Sequence, residues 1–147
     1  MFKIVKGKIK LDKLIKYVSD PGAGAITTFL GVTRGESEGR KVIYLDYDAY
    51  QKMAEKKMEE IGDEIKVKWK ICKIAIIHRV GRLKVGEASV AIAVSTPHRR
   101  EGFQSCKYAI DRIKEITPVW KKEVWKGGEE WKGGSKGSSK FKAQSSK

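Results

Sequence analysis

The sequence predicts a single α+β domain, a largely antiparallel sheet with about three helices. Three observations predict it. Seven short stretches carry the alternation or the β-branched runs of strands, and three carry helical spacing. Their order, β-α-β-β-α-β-β-α-β-β, sets strands beside one another across turns too short for a parallel crossover. The length, 147 residues, is that of one domain and is enough to bury a core without staples.

Residues 2–9 alternate apolar and basic side chains, as in a strand with one exposed face. Asp12 is placed to cap a short helix carrying Leu14, Ile15 and Val18, which Asp20-Pro21-Gly22 stops. Residues 24–32, small and β-branched, read as a buried strand, and residues 33–39 as a polar loop. Residues 41–47 alternate again. From 49 to 65 the spacing is helical, with Met53, Lys57 and Ile61 near one another and Met58 and Ile65 adjoining. Residues 71–80 and 88–95 have strong strand propensity and flank the turn-rich 81–87. Thr96 and Pro97 open a helix as cap and first residue. Its core face is Phe103, Cys106, Ile110 and Ile113, and Pro118 ends it. Residues 123–131 read as a hairpin around Gly127-Gly128. Residues 132–147 hold five lysines and no acid. They read as a basic Lys/Gly/Ser tail without fixed structure, which leaves residues 1–131 as the folded domain.

Charge narrows the function classes. Lys and Arg outnumber Asp and Glu by 32 to 18, a net charge of +14, so an anionic partner is expected. No apolar run approaches the roughly 18 residues of a membrane span, and the N-terminus lacks an apolar signal core. A cytoplasmic protein with no membrane association is the expectation. Cys72 and Cys106 are too few for a disulfide scaffold or a four-cysteine metal site, and both fall in apolar patterns typical of inert buried thiols.

The stretch from Ser95 to Glu123 holds most of the candidate chemistry. His98, Arg99 and Arg100 sit where the predicted helix begins, among its free backbone N–H groups. The dipole does not favour cations there, so two readings stand side by side: an anion site, or a solvated basic turn. Lys107 and Lys114 are seven residues apart, within about 20° around the helix. Lysine stripes usually face solvent. Trp120-Lys121-Lys122, however, sets bulky apolar surface beside ammonium groups, and a desolvated lysine among cations is usable as acid or base near neutrality. Arg34 follows a strand end in a Gly- and Ser-rich loop, a common home for binding residues, whereas Phe29 reads as core. His78 ends a strand and reads as structural. Asp46 and Asp48 have no fixed spacing to Glu36 or Glu38, so no metal site is expected.

Four collinear motifs now stand together: GAITTFLGVTR at 24–34, IIHRVGRLKVGE at 76–87, STPHRREGF at 95–103 and YAIDRIKEITPVWKKE at 108–123. In these the chain resembles the large, catalytic subunit of molybdopterin synthase, from about Gly24 to Trp131, nearly the whole of the folded part. The resemblance implies the α/β hammerhead fold of that family and a sulfurtransferase of molybdenum cofactor biosynthesis. Two large subunits form a homodimer, and a small ubiquitin-like sulfur-carrier subunit docks at each end of the heterotetramer. The carrier's C-terminal Gly-Gly thiocarboxylate enters a pocket holding precursor Z, a cyclic pyranopterin monophosphate. Two sulfurs pass in turn to make the dithiolene, with no metal or redox cofactor. The family's helix lysine falls on Lys114 and its Pro-x-Trp-Lys lysine on Lys121, implied catalytic residues. Its histidine-arginine pair falls on His98 and Arg99, and its strand-loop motif on Phe29 and Arg34, implied to bind substrate. Lys114 is expected to do the proton work nearest the sulfur and Lys121 to orient an anion, with the two roles open to exchange. Where some members carry an arginine after the Trp131 position, this chain offers Lys132 and Lys136.

Two other readings compete. The charge, the basic tail and four tryptophans also fit a nucleic-acid-binding module, but no aromatic-basic RNA motif or zinc-finger spacing accompanies them. A non-catalytic docking subunit would hold the carrier and make Lys114 dispensable.

Overall fold

The two most apolar strands predicted from the sequence lie at the centre of the molecule. The computed structural model describes residues 1–133. Its elements are β1 (Phe2–Val5), α1 (Leu11–Val18), β2 (Ala25–Val32), β3 (Glu36–Ser37), β4 (Arg40–Ala49), α2 (Gln51–Lys68), β5 (Lys73–Arg79), β6 (Gly81–Lys84), β7 (Ala88–Thr96), α3 (Arg99–Ile116), β8 (Val119–Trp125) and β9 (Gly128–Lys132). One sheet has the order β1-β5-β7-β2, and the second β3-β4-β8-β9, with β6 also on β4. The β1–β5 pair is parallel and the others are antiparallel. The α+β class with three helices is as the sequence predicts.

β5 and β7 read as continuous apolar runs because both of their faces are covered. On one face Ile74, Ile76, Ile92 and Val94 meet Met58, Ile61 and Ile65 of α2 and Cys106, Ala109 and Ile113 of α3. On the other, Ala75, Ile77, Ala91 and Ala93 receive Leu14 and Val18 of α1. The two long helices are also clamped through charge. Arg112 grips the Glu64 carboxylate with Nε and Nη2, each at 3.0 Å, while the Tyr108 hydroxyl donates to it at 2.8 Å.

Several local expectations are corrected. Asp12 does not cap α1; Lys10 holds that position, and Asp12 lies in the first turn, where the helix dipole favours it. Residues 24–32 form an edge strand, so β2 alternates between half-buried and exposed instead of being buried throughout. The loop at 33–39 contains β3, which pairs with β4 around a turn at Glu38 and Gly39, both with positive φ. The segment 81–87 contains β6. Thr96 ends β7 and donates its hydroxyl to the His98 carbonyl at 2.6 Å, so α3 starts two residues later than expected, at Arg99. Phe103 is 64% exposed and Met53 49% exposed; Gly102, Ser105 and Ala54 take the buried places beside their neighbours. The last hairpin begins at Val119, and Lys132, assigned above to the tail, is its final strand residue. The tail from residue 134 on lies outside the described residues.

Candidate functional site

Three chain segments end at one place. β2 runs out through Phe29 to Arg34, α3 finishes at Ile116, and β8 starts after Pro118. Between them opens a cleft of about 580 Å³, lined by Phe29, Arg34, Tyr47, His78, Lys114, Thr117, Lys121 and Lys132 among others. Lys114 lies in the last turn of α3, where the free carbonyls favour a cation. Lys121 lies in β8 opposite Tyr47 of β4. The turn and hairpin from Arg34 to Lys41 line a second, more open depression of about 860 Å³, which shares Arg34 with the cleft.

Of the six residues implied above, Phe29, Arg34, Lys114 and Lys121 line this cleft. His98 and Arg99 do not. They sit exposed at the opposite end of α3, about 22 Å from Lys114 along a helix rising 1.5 Å per residue.

Two of the cleft's lysines, Lys121 and Lys132, share one carboxylate. Glu123 is 4% exposed. Its oxygens lie 3.8 Å from the Lys121 ammonium and 3.0 Å from that of Lys132, and Ser37 donates to it at 3.2 Å. Lys132 also reaches Glu38 at 3.1 Å, fastening β9 to the β3–β4 hairpin. Burial pushes the Glu123 carboxyl up, but the bonds from Lys132 and Ser37 and the two ammonium charges outweigh it and hold it below its usual value. For Lys121 the balance goes the other way. Burial drives its ammonium below the usual lysine range; Glu123 raises it, and the charges of Lys114, Lys132 and Arg34 lower it again.

The floor is neutral. His78 is 6% exposed, and burial pushes its imidazolium down to about 4, with Lys114 adding to the effect and a backbone bond opposing it. The Tyr47 ring meets it edge-on at 5.1 Å. Thr117 is fully buried, and its hydroxyl has no hydrogen-bond partner.

Sequence reasoning missed Glu123, named Lys132 only as one of two lysines standing where some relatives carry an arginine, and set His78 aside. Lys132 stands where low-complexity sequence begins, and composition hid the strand. Glu123 has a signal in hindsight: an acid at every second position from Lys121 is on the same face of a strand. Nothing in the apolar run around His78 distinguishes a cleft floor from core.

A half-buried lysine and further cations converging on a cleft with a neutral polar floor make up the kind of site that suits an anionic ligand and proton transfer beside it. The particular family follows from comparison with known proteins. The model of the MoaE protein family matches residues 4–116. A molybdopterin synthase catalytic subunit from Halalkalibacterium halodurans is 48% identical over 132 residues, 90% of this chain and 85% of the relative. The crystal structure of molybdopterin synthase from Staphylococcus aureus superposes with a TM-score of 0.87 at 43% identity, covering 90% of this chain and 97% of that one. A chain of the complex of subunits 1 and 2 of molybdopterin-converting factor from Helicobacter pylori has the same fold, with a TM-score of 0.74 at 19% identity over 95% and 97% of the two chains. This chain belongs to the MoaE family of molybdopterin synthase catalytic subunits, which decides between the enzyme and the nucleic-acid module.

Proposed function

We propose that the cleft binds precursor Z and receives the thiocarboxylated Gly-Gly end of a small sulfur-carrier subunit, and that this chain catalyses sulfur transfer between them in the cytoplasm. The observation that carries the reading is the convergence of Arg34, Lys114 and Lys121 on one opening. A cyclic phosphate and a thiocarboxylate are both anions. At about 4 Å and an effective dielectric near 20, two unit charges repel by roughly 4 kcal/mol, which fixed cations offset. The open depression that shares Arg34 gives an extended peptide end a way in.

The proton work falls to Lys121 and the anion binding to Lys114 and Arg34, the reverse of the division first expected for the two lysines. Burial pushes the Lys121 ammonium below the usual lysine range, the direction that favours proton donation. Lys114 stands exposed on the rim. Sulfur attacks the pterin side chain, a C–S bond forms, and Lys121 protonates the departing oxygen. Water then cleaves the acyl–sulfur bond, returning the carrier as a carboxylate and leaving sulfur on the pterin. His98 and Arg99 join this site from a second copy of the chain in the homodimer, since their own cleft is a helix length away. Among the described residues no helix is long and apolar enough to cross a membrane. The test is direct: mix the protein with thiocarboxylated carrier and precursor Z and assay dithiolene product. Carrier binding without product would leave only a docking subunit.

A further inference from the structure

Arg34, Lys114 and Lys121 are hydrogen-bond donors only. They suit a phosphate or a thiocarboxylate, but they cannot recognise an N–H group. A pterin ring carries several N–H donors, so a cleft that selects it needs an acceptor as well. The floor supplies one. His78 Nδ1 lies 2.9 Å from the Arg79 carbonyl oxygen. A carbonyl only accepts, so Nδ1 carries the proton and Nε2 of the neutral ring keeps its lone pair. Among the described residues no hydrogen bond engages that Nε2. The Tyr47 ring, edge-on at 5.1 Å, fixes the plane of the imidazole. This Nε2 is unpaired without being among the polar atoms sealed from solvent, so in the cleft lining it is open to whatever ligand fills the cleft.

We propose that His78 is a positioning residue for the substrate: its Nε2 accepts a hydrogen bond from a ring or amino N–H of the pterin and orients the side chain toward the incoming sulfur. The inference rests on the reading of the cleft as a pterin-phosphate site. Neutrality matters here, because an imidazolium would have no lone pair to offer, and burial keeps this ring neutral at physiological pH.

His78 and His98 are the chain's two histidines. Proton–nitrogen correlation spectra of the labelled full chain therefore show two imidazoles, and His98→Gln assigns them. Saturation with precursor Z is expected to move the His78 Nε2 resonance upfield. Sulfate, which brings charge and no N–H donor, is expected to leave it in place. A resonance that precursor Z does not move, or that sulfate moves as far, overturns the proposal. In turnover, His78→Phe keeps a ring and loses the acceptor; KM for the pterin should rise about tenfold or more, with kcat changing less. His78→Gln restores an acceptor and should hold KM within about threefold of wild type. Equal KM values in the two variants also overturn it, and if either variant fails to fold, the wild-type spectra decide. Wild-type protein that makes no dithiolene product removes the reading of the cleft and this inference with it. Product formation with an unmoved His78 resonance removes this inference alone.

Discussion

The Lys121 ammonium stands 3.8 Å from the carboxylate of Glu123, two residues along β8 and on the same face of the strand. Glu123 is the more deeply buried of the two, so the lysine is held at the cleft from below. Lys121→Ala is expected to lower dithiolene formation by about 10²–10⁴, the usual range for losing a general acid. Lys121→Arg keeps the charge but does not release its proton at accessible pH. It should therefore bind pterin and carrier and still turn over poorly. Single-turnover assays beside a pterin titration check this, and near-normal product in the alanine variant would remove Lys121 from the mechanism.

The same pair gives a signed pH prediction. The Glu123 charge raises the Lys121 ammonium, while burial and three neighbouring cations lower it. In Glu123→Gln the lowering influences act unopposed, so Lys121 loses its proton at lower pH. The alkaline limb of the kcat profile should move down in pH; a limb that moves up contradicts the coupling. Stability follows a separate window. The Glu123 carboxyl is held below its ordinary value of 4.5. Its contribution is present above that value and fades as pH falls through the lowered native one. Denaturant titrations across that range should show wild type losing stability that the Gln variant never had.

What was legible in the sequence was whatever had a period. β5, β7, α2 and α3 announced themselves because burial on one or both faces writes a repeat of apolar residues. The lining of the candidate cleft was legible only where charge stood out against local pattern, at Arg34, Lys114 and Lys121. Thr96 and Pro97 gave a sound helix-start signal, yet the hydroxyl of Thr96 turns to the His98 carbonyl and the strand continues through it. Phe103 obeys the helical period and is nevertheless exposed, because the closely packed part of α3 is lined by Gly102 and Ser105. The separation of the His98-Arg99 pair from Lys114 follows from their spacing along one helix, but the gathering of Arg34 and Lys121 at the Lys114 end is tertiary information, which no spacing in the chain encodes.

Sulfur should come from the carrier and not from this chain. Burial pushes the Cys106 thiol up to about 11, which leaves it a poor nucleophile at neutral pH. Cys72 is half-buried and does not line the cleft. The double variant Cys72→Ser, Cys106→Ser is therefore expected to retain product formation once its folding is confirmed by circular dichroism. A folded double variant that binds carrier and transfers no sulfur would instead indicate a persulfide on the protein.

Gly102 lets α3 approach the central sheet closely. A Cβ at this position would collide with the Thr27 hydroxyl oxygen on β2 and stand 3.2 Å from that of Thr96 on β7. Both side chains are short and β-branched, with little freedom to yield, so the helix must lift. Gly102→Ala should cost about 1–3 kcal/mol by overpacking, outweighing the gain in helix propensity. For a chain of this size that lowers Tm by about 2–4 °C per kcal/mol. Because α3 carries Lys114 at its far end, KM for the pterin should rise as well. Gly7→Ala, whose Cβ would meet nothing within 4 Å, serves as the comparison and should change stability by less than about 0.5 kcal/mol. Calorimetry on the two variants decides it: equal melting temperatures would show that the helix already stands clear of the strands.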